Sequence, residues 1–403
     1  MTRTERTYYL LTALNRIAWA VLGPTYALFL LARGLDLLQL NVVLAVYLIT
    51  ICVFEIPTGA IADVFGRKAS FVLSCLVRAV AFGLYYVSDS FTDFLVAEVI
   101  DAIGTTLATG AFDAWAVDGV RADGDERPVD RLFARGQMLG QTMAMVGGLL
   151  AAYVATRDLA LPWLLGSGGF LVCAAAAALL MRETHVRRRA ADGSHYSIAA
   201  TMRESVALVR AAPAMRWLCG LAALTAFATL PAFQMWQPRL TDLSGAGPWL
   251  MGWVWLFLNL TSIAGSALIP RLVARLGRPS ALALALLWRA ATLGVAGAAA
   301  GFPVACVGFL LQEVGFGFSE PVLQAWMSEH ATAAQRATIL SVRSMSFTLG
   351  GGLGLLCLGW LARATDIGTA WLVSAAIYAC AAPWFLALAR VEAAATPDLP
   401  RAA

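Results

Sequence analysis

Lysine is all but missing from this chain. Of the 29 basic residues among its 403, only Lys68 is a lysine, and charged residues of both signs make up 13%. A soluble domain carries about twice that share, so a water-solvated globule is excluded. Histidine is as scarce: His185, His195 and His330 all fall in polar loops. No histidine or cysteine cluster has the spacing of a metal site, so no metal is expected. The seven cysteines, Cys52, Cys75, Cys173, Cys219, Cys306, Cys357 and Cys380, all lie in apolar runs. They read as small core residues, not as disulfides or ligands. Gly66-Arg67-Lys68 lacks the phosphate-binding context of a P-loop, and the acids from Asp118 to Glu126 lack the ligand spacing of an EF-hand. No enzyme constellation and no cofactor is expected.

What fills the chain is oil. Apolar residues make up 60% and the mean hydropathy is +0.73. A hydrocarbon layer about 30 Å thick takes roughly 20 apolar residues as a helix, and twelve such runs can be laid out. They cover about 8–31, 38–62, 68–87, 93–117, 131–155 and 161–181, then 214–240, 248–270, 280–300, 303–328, 337–363 and 367–389. Backbone amides in lipid must be bonded within their own segment, so these runs predict helices, and the fold class is all-α integral membrane with 12 spans. The first run is too long for a signal-peptide core and stays as a helix.

The halves are copies. Gly59-Ala-Ile-Ala-Asp63-Val-Phe-Gly66-Arg67-Lys68 joins the second and third runs in a tight hairpin. Its register returns 211 residues later: Gly277-Arg278 matches Gly66-Arg67, Arg289 matches Arg78, and Ala325-Trp326 matches Ala114-Trp115. The domains predicted are a six-helix bundle over 1–181, a cytoplasmic linker over 182–213 and a second bundle over 214–403. The linker carries Arg187-Arg188-Arg189 and reads as a contact for anionic headgroups.

Arginine and lysine in alternate loops set orientation. One side holds 21 of the 29 cations, the other only Arg33, Arg157, Arg239 and Arg363, and Arg16, Arg78, Arg289 and Arg343 fall inside runs. Both termini are then expected in the cytoplasm. The net charge of +4 is a topology signal and no argument for nucleic acid. The excess of arginine and alanine suggests a GC-rich bacterium, hence its inner membrane.

Gly59-x3-Asp63-x2-Gly66-Arg67-Lys68 inside a 6+6 repeat resembles the signature of the major facilitator superfamily, and the resemblance covers nearly the whole chain. It implies two bundles that open a central cavity alternately to each side, lined by the first, fourth, seventh and tenth spans, in a protein that works mostly as a monomer. It also implies that the loop aspartate, Asp63, caps a helix of the opposite half, and that Arg67 meets an acid at the cytoplasmic end of the fourth span, here Asp118. Shifting that pair by 211 gives Arg278 and Glu329, a second expected clamp. Of the family's drug and proton antiporter signature the fifth span keeps Gly136, Gly140 and Gly147-Gly148, but has Met143-Ala144 where Gly-Pro is usual.

The same four spans carry polar arcs at about 100° per residue. They gather Thr12, Asn15, Arg16, Trp19 and Tyr26; Glu98, Asp101, Thr105, Thr109, Phe112 and Asp113; Thr225, Thr229, Phe233, Trp236 and Gln237 around a breaker at Pro231; and Gln312, Glu313, Phe316, Ser319, Glu320 and Gln324. A helix-centre charge costs about 2.5–3.5 kcal/mol on insertion scales, so five acids on two spans imply water, partners or both.

Depth along the helices predicts structural pairs Arg289–Glu320 and Arg78–Glu55. It leaves Arg16, Asp101 and Glu313 near mid-membrane, with Glu98 nearer the outside. Glu313 and Asp101 are the expected proton carriers. Arg16 either holds an anionic or zwitterionic cargo or neutralises Asp113. The leading expectation is proton-coupled export of small amphipathic or cationic compounds, from acids beside Trp19, Phe112, Trp236 and Phe316. Uptake or exchange of a polar or anionic metabolite anchored by Arg16 and Asn15 is the alternative. A lipid-handling or sensor protein without soluble cargo is the reading from another class.

Overall fold

The computed structural model describes residues 1–124, 129–183, 213–329 and 336–395, and among them there is no strand. Most of the linker, with its arginine run and the helix expected from Ser197 to Val209, lies outside the described residues.

The first span is broken into α1 (Arg3–Ala20) and α2 (Leu22–Ala32). A capping box starts it: Thr2 accepts from the Glu5 amide and Glu5 accepts from the Thr2 amide, which satisfies two amides the helix itself leaves open. Asp36 and Gln39 do the same for α3 (Leu37–Phe65), and Ser90 with Asp93 for α5 (Phe91–Ala108). Between α3 and α4 (Arg67–Val87) the chain turns on Gly66 at φ 98°, ψ 151°, a conformation that side chains resist. The fourth span breaks at Gly110 before α6 (Ala111–Ala122), and α7 (Asp130–Val154) and α8 (Leu161–Leu180) complete the first half.

The second half runs α9 (Pro213–Gln234), α10 (Trp236–Ser244), α11 (Pro248–Ala267), α12 (Ile269–Ala298), α13 (Phe302–Glu329), α14 (Arg336–Ala364) and α15 (Ile367–Ala395). Gly277, at φ 71°, ψ 161°, kinks α12 where Gly66 parts α3 from α4. The break expected at Pro231 falls four residues later, because Pro231 is held inside α9 and its carbonyl accepts from the Met235 amide at 3.1 Å.

Among the described residues, eleven stretches are long and apolar enough to span a membrane. The twelfth expected, over 131–155, is the helix α7, whose Arg131, Arg135, Gln137 and Gln141 lower its hydropathy.

Two compact units emerge: Met1–Ser194 with Gly245–Leu256, and His195–Ser244 with Phe257–Ala403. In the first, α4 packs on α5 and α8, and α1 on α7 and α8; in the second, α12 packs on α13 and α15, and α9 on α14 and α15. The packing scheme is one scheme used twice. The first unit has an aromatic core in which Tyr85 stacks on Trp163 at 4.0 Å and Phe82 meets Phe170 edge-on. Glycines let α7 close on α1: a Cβ at Gly136 would lie 2.7 Å from the Tyr8 ring, and one at Gly147 would lie 2.9 Å from Ala20. Small residues bring membrane helices together in this way.

Candidate functional site

Helices α1, α4, α5, α6 and α7 leave polar groups around one opening. This cavity, of about 530 Å³, lies wholly inside the first unit. α1 supplies Tyr8, Thr12, Asn15 and Arg16; α4 supplies Phe71 and Arg78; the broken end of α5 supplies Thr105, Thr109 and Gly110; α6 supplies Phe112 and Asp113; and α7 supplies Phe133 and Gln137. One wall is aromatic, with Phe112 stacked between Phe71 at 4.3 Å and Tyr8 at 5.1 Å. Arg16 and Asp113 are both exposed there, and neither has an ion-pair partner within 4 Å among the described residues. Asn15 and Phe112 line this space; Trp19 does not, being packed against the aromatic core.

The acids of the fourth span have partners. Asp101 does not stand free: its Oδ1 accepts from Arg78 Nε at 2.9 Å, with both side chains about 5% exposed. That displaces the expected Arg78–Glu55 pair, and Glu55 is exposed. The reason is rotational phase, since α4 presents Arg78 to Asp101 of α5 while Glu55 of α3 faces outward. Glu98 is buried and accepts a hydrogen bond from the Tyr85 hydroxyl. Arg78 lines the cavity, while its Nη2 is buried without a hydrogen-bond partner.

In the second unit Arg289 is 1% exposed and sits in a closed network. Its Nε donates to Gln312 Oε1 at 2.8 Å, and its Nη2 to Thr229 Oγ1 at 3.0 Å and to the Tyr378 hydroxyl at 2.7 Å. Gln312 Nε2 in turn donates to Glu313 Oε1 at 2.6 Å. The guanidinium also lies over the Phe316 ring at 5.3 Å, which gives that aromatic a cation-π role. The expected Arg289–Glu320 pair is absent, because Glu320 pairs with Arg343 of α14 instead. Trp236, expected beside the cargo, is fully buried and stacks near Phe309, because the break after Gln234 changes its phase.

At the hairpin between α3 and α4, Arg67 Nη1 pairs with Asp118 and donates to the Ala114 carbonyl at 2.7 Å. Glu183, just past α8, accepts from the Lys68 amide at 2.9 Å, and a Cβ at Gly66 would strike that carboxylate. Among the described residues, Gly59 has no atom within 4 Å of where a Cβ would stand. The side chains of Asp63 and Glu329 lie outside the described residues, and Arg278 is engaged.

Sequence reasoning passed over Tyr8, Phe71, Phe133 and Gln137 in the cavity and Tyr378 in the network. For Tyr378 a signal existed: Trp163 and Phe170 recur 208 positions on as Trp371 and Tyr378, so the ring beside Arg289 could be read from the ring beside Arg78.

Comparison with known proteins agrees with this architecture. The sequence model for the Major Facilitator Superfamily matches residues 8–287 and 250–402. An uncharacterized MFS-type transporter, YxaM, from Bacillus subtilis (strain 168) is 22% identical over 374 residues, 91% of this chain and 92% of the relative. Among solved structures, a mutant of the nucleoside transporter NupG superposes with a TM-score of 0.80 at 14% identity, over 96% of this chain and 99% of that one. The peptide transporter POT in complex with sulfate gives 0.75 at 14%, over 97% and 95%. A bacterial homolog of the human lysosomal transporter Spinster gives 0.72 at 14%, over 96% and 96%. Likeness at this identity establishes the fold.

Proposed function

The chain belongs to the Major Facilitator Superfamily, a multi-pass membrane transporter and not an enzyme, and from that premise we propose that it moves a small polar solute by proton-driven alternating access. The observation that carries this is the unpaired Arg16 and Asp113 in one cavity. Two opposite charges left apart on one wall are complementary to a cargo bearing both an acceptor and a cationic or donor group, that is, a zwitterion. Arg78 lines the same cavity. With Asp101 engaged by Arg78, one of the acids on which cation export rested is compensated.

Export of an amphipathic cation is the second reading. It is favoured by the stack of Phe71, Phe112 and Tyr8 beside Asp113. The arginine-rich loops support placing both termini in the cytoplasm, with the chain a monomer in a bacterial inner membrane.

Purified protein in liposomes under an imposed pH gradient separates the readings. A panel of zwitterions, nucleosides, organic anions and lipophilic cations is offered to the wild type, Arg16→Gln and Asp113→Asn. A zwitterionic cargo predicts that either substitution weakens uptake by about tenfold or more, the scale of a lost charge-assisted bond. Cation export predicts sensitivity to Asp113→Asn alone. No gradient-driven movement of any panel member would sink both.

A further inference from the structure

The two halves repeat one arginine site with a single chemical exchange. Arg78 and Arg289, 211 positions apart, each lie on a glycine, Gly104 and Gly315, at the same spacing; a Cβ on either would stand 2.5 Å from the arginine Cγ. Each guanidinium also stands over a ring from the last helix of its half, Phe170 at 4.4 Å and Tyr378 at 4.2 Å. Each Nε donates to the residue 23 positions on, Asp101 in the first half and Gln312 in the second. The acceptor is a carboxylate once and a neutral amide once.

That exchange changes what the site does with charge. Arg78 touches its counter-ion directly. Arg289 touches only neutral oxygens, from Gln312, Thr229 and Tyr378, and the carboxylate of Glu313 reaches it through the Gln312 amide. The amide is oriented from both ends, its oxygen accepting from Arg289 and its nitrogen donating to Glu313. Coulomb attraction weakens with separation, so Glu313 gives up its charge at less electrostatic cost than Asp101 does. The other groups around Glu313 leave it this role. Tyr378 faces it from α15, Arg343 of α14 is taken by Glu320, Arg239 of α10 donates to the Gly297 and Ala299 carbonyls, and α11 carries no titratable residue.

We propose that Arg289–Gln312–Glu313 is the proton-exchanging element of this transporter, made so by an amide standing where the first half has Asp101, and that Arg78–Asp101 is a fixed ion pair. Uptake forms an O–H bond on the Glu313 carboxylate and leaves Arg289 in its neutral cage; release restores the carboxylate. The proposal rests on the proton-driven reading above.

Difference infrared spectroscopy of the purified protein across a pH step reads carboxyl protonation with no cargo present. A protonated-carboxyl band is expected in the wild type, Glu313→Asp and Asp101→Asn, and is lost in Glu313→Gln. Glu313→Gln also strands Arg289 without a counter-ion and lowers the thermal midpoint by several degrees. Adding Gln312→Asp to it rebuilds the first-half pair: the midpoint recovers while the band stays lost. A band that survives Glu313→Gln, one that disappears in Asp101→Asn, or a double variant no more stable than the single overturns the proposal. Because the spectrum needs no substrate, this failure is distinguishable from failure of the transport reading, which the liposome panel decides.

Discussion

Gly104 is the floor on which the buried stem of Arg78 lies, with 2.5 Å between a Cβ built on the glycine and the arginine Cγ. Gly315 holds Arg289 in the same way. Gly104→Ala and Gly315→Ala are each expected to cost about 1–3 kcal/mol, the usual price of overpacking. Gly59→Ala, with no described atom within 4 Å of its Cβ, is expected to gain about 0.5–1 kcal/mol in a helix interior. Thermal unfolding in detergent checks the ranking, which fails if Gly59→Ala proves the most harmful.

A buried ion pair is costly to break and cheap to replace. Asp101→Ala strands Arg78 and is expected to lose about 3–5 kcal/mol, while Arg78→Met combined with Asp101→Leu recovers most of it. A double-mutant cycle on thermal stability measures the coupling; additive losses would mean that the 2.9 Å contact carries none.

The Arg67–Asp118 pair is wetter, with Asp118 41% exposed. Such pairs contribute about 0–1 kcal/mol, so Arg67→Ala and Asp118→Ala should barely move the unfolding midpoint. If the pair is a gating clamp, the liposome transport rate falls about tenfold in both variants all the same. Unchanged rates would leave it as surface decoration.

Asp123 follows α6 and its carboxylate accepts from the Thr4 amide at 3.0 Å, in the first turn of α1. That bond, with lesser help from the Thr4 and Thr2 side chains, holds its titration below the ordinary carboxylate range. A lowered value means the contact stabilises above that ordinary range and is lost as pH falls through the folded-state value. Hydrogen exchange at the Thr4 amide should therefore quicken in acid beyond its intrinsic trend. In Asp123→Ala, which removes the acceptor, it should already be fast at neutral pH, and equal protection in the two proteins would refute the cap.

Much of the frame was written in the periodicity and the 211-residue echo, because arginines and glycines that repeat in register must occupy repeated backbone. Partners were harder. Depth placed Arg78 level with Glu55 and left Asp101 free, but which neighbour it meets depends on the rotation of α4 about its axis, which a sequence leaves open. Arg289 and Glu320 failed together for the same reason, Arg343 capturing the acid. Trp236 was misplaced because the helix breaks after Gln234, four residues beyond the proline that suggested a break. The cavity was half legible: α1 and α6 announced it with Arg16 and Asp113, whereas Tyr8, Phe71 and Phe133 look like ordinary core until their stack is seen.

Left-handed glycines punctuate both copies at matching places, Gly34 with Gly245 and Gly66 with Gly277. Loop lengths between those marks have thus survived without insertion while the side chains around them diverged. Segments of one copy are consequently interchangeable modules: transplanting 66–101 onto 277–312 needs no redesigned turn, and would carry the Arg78–Asp101 ion pair to the place where Arg289 meets the amide of Gln312.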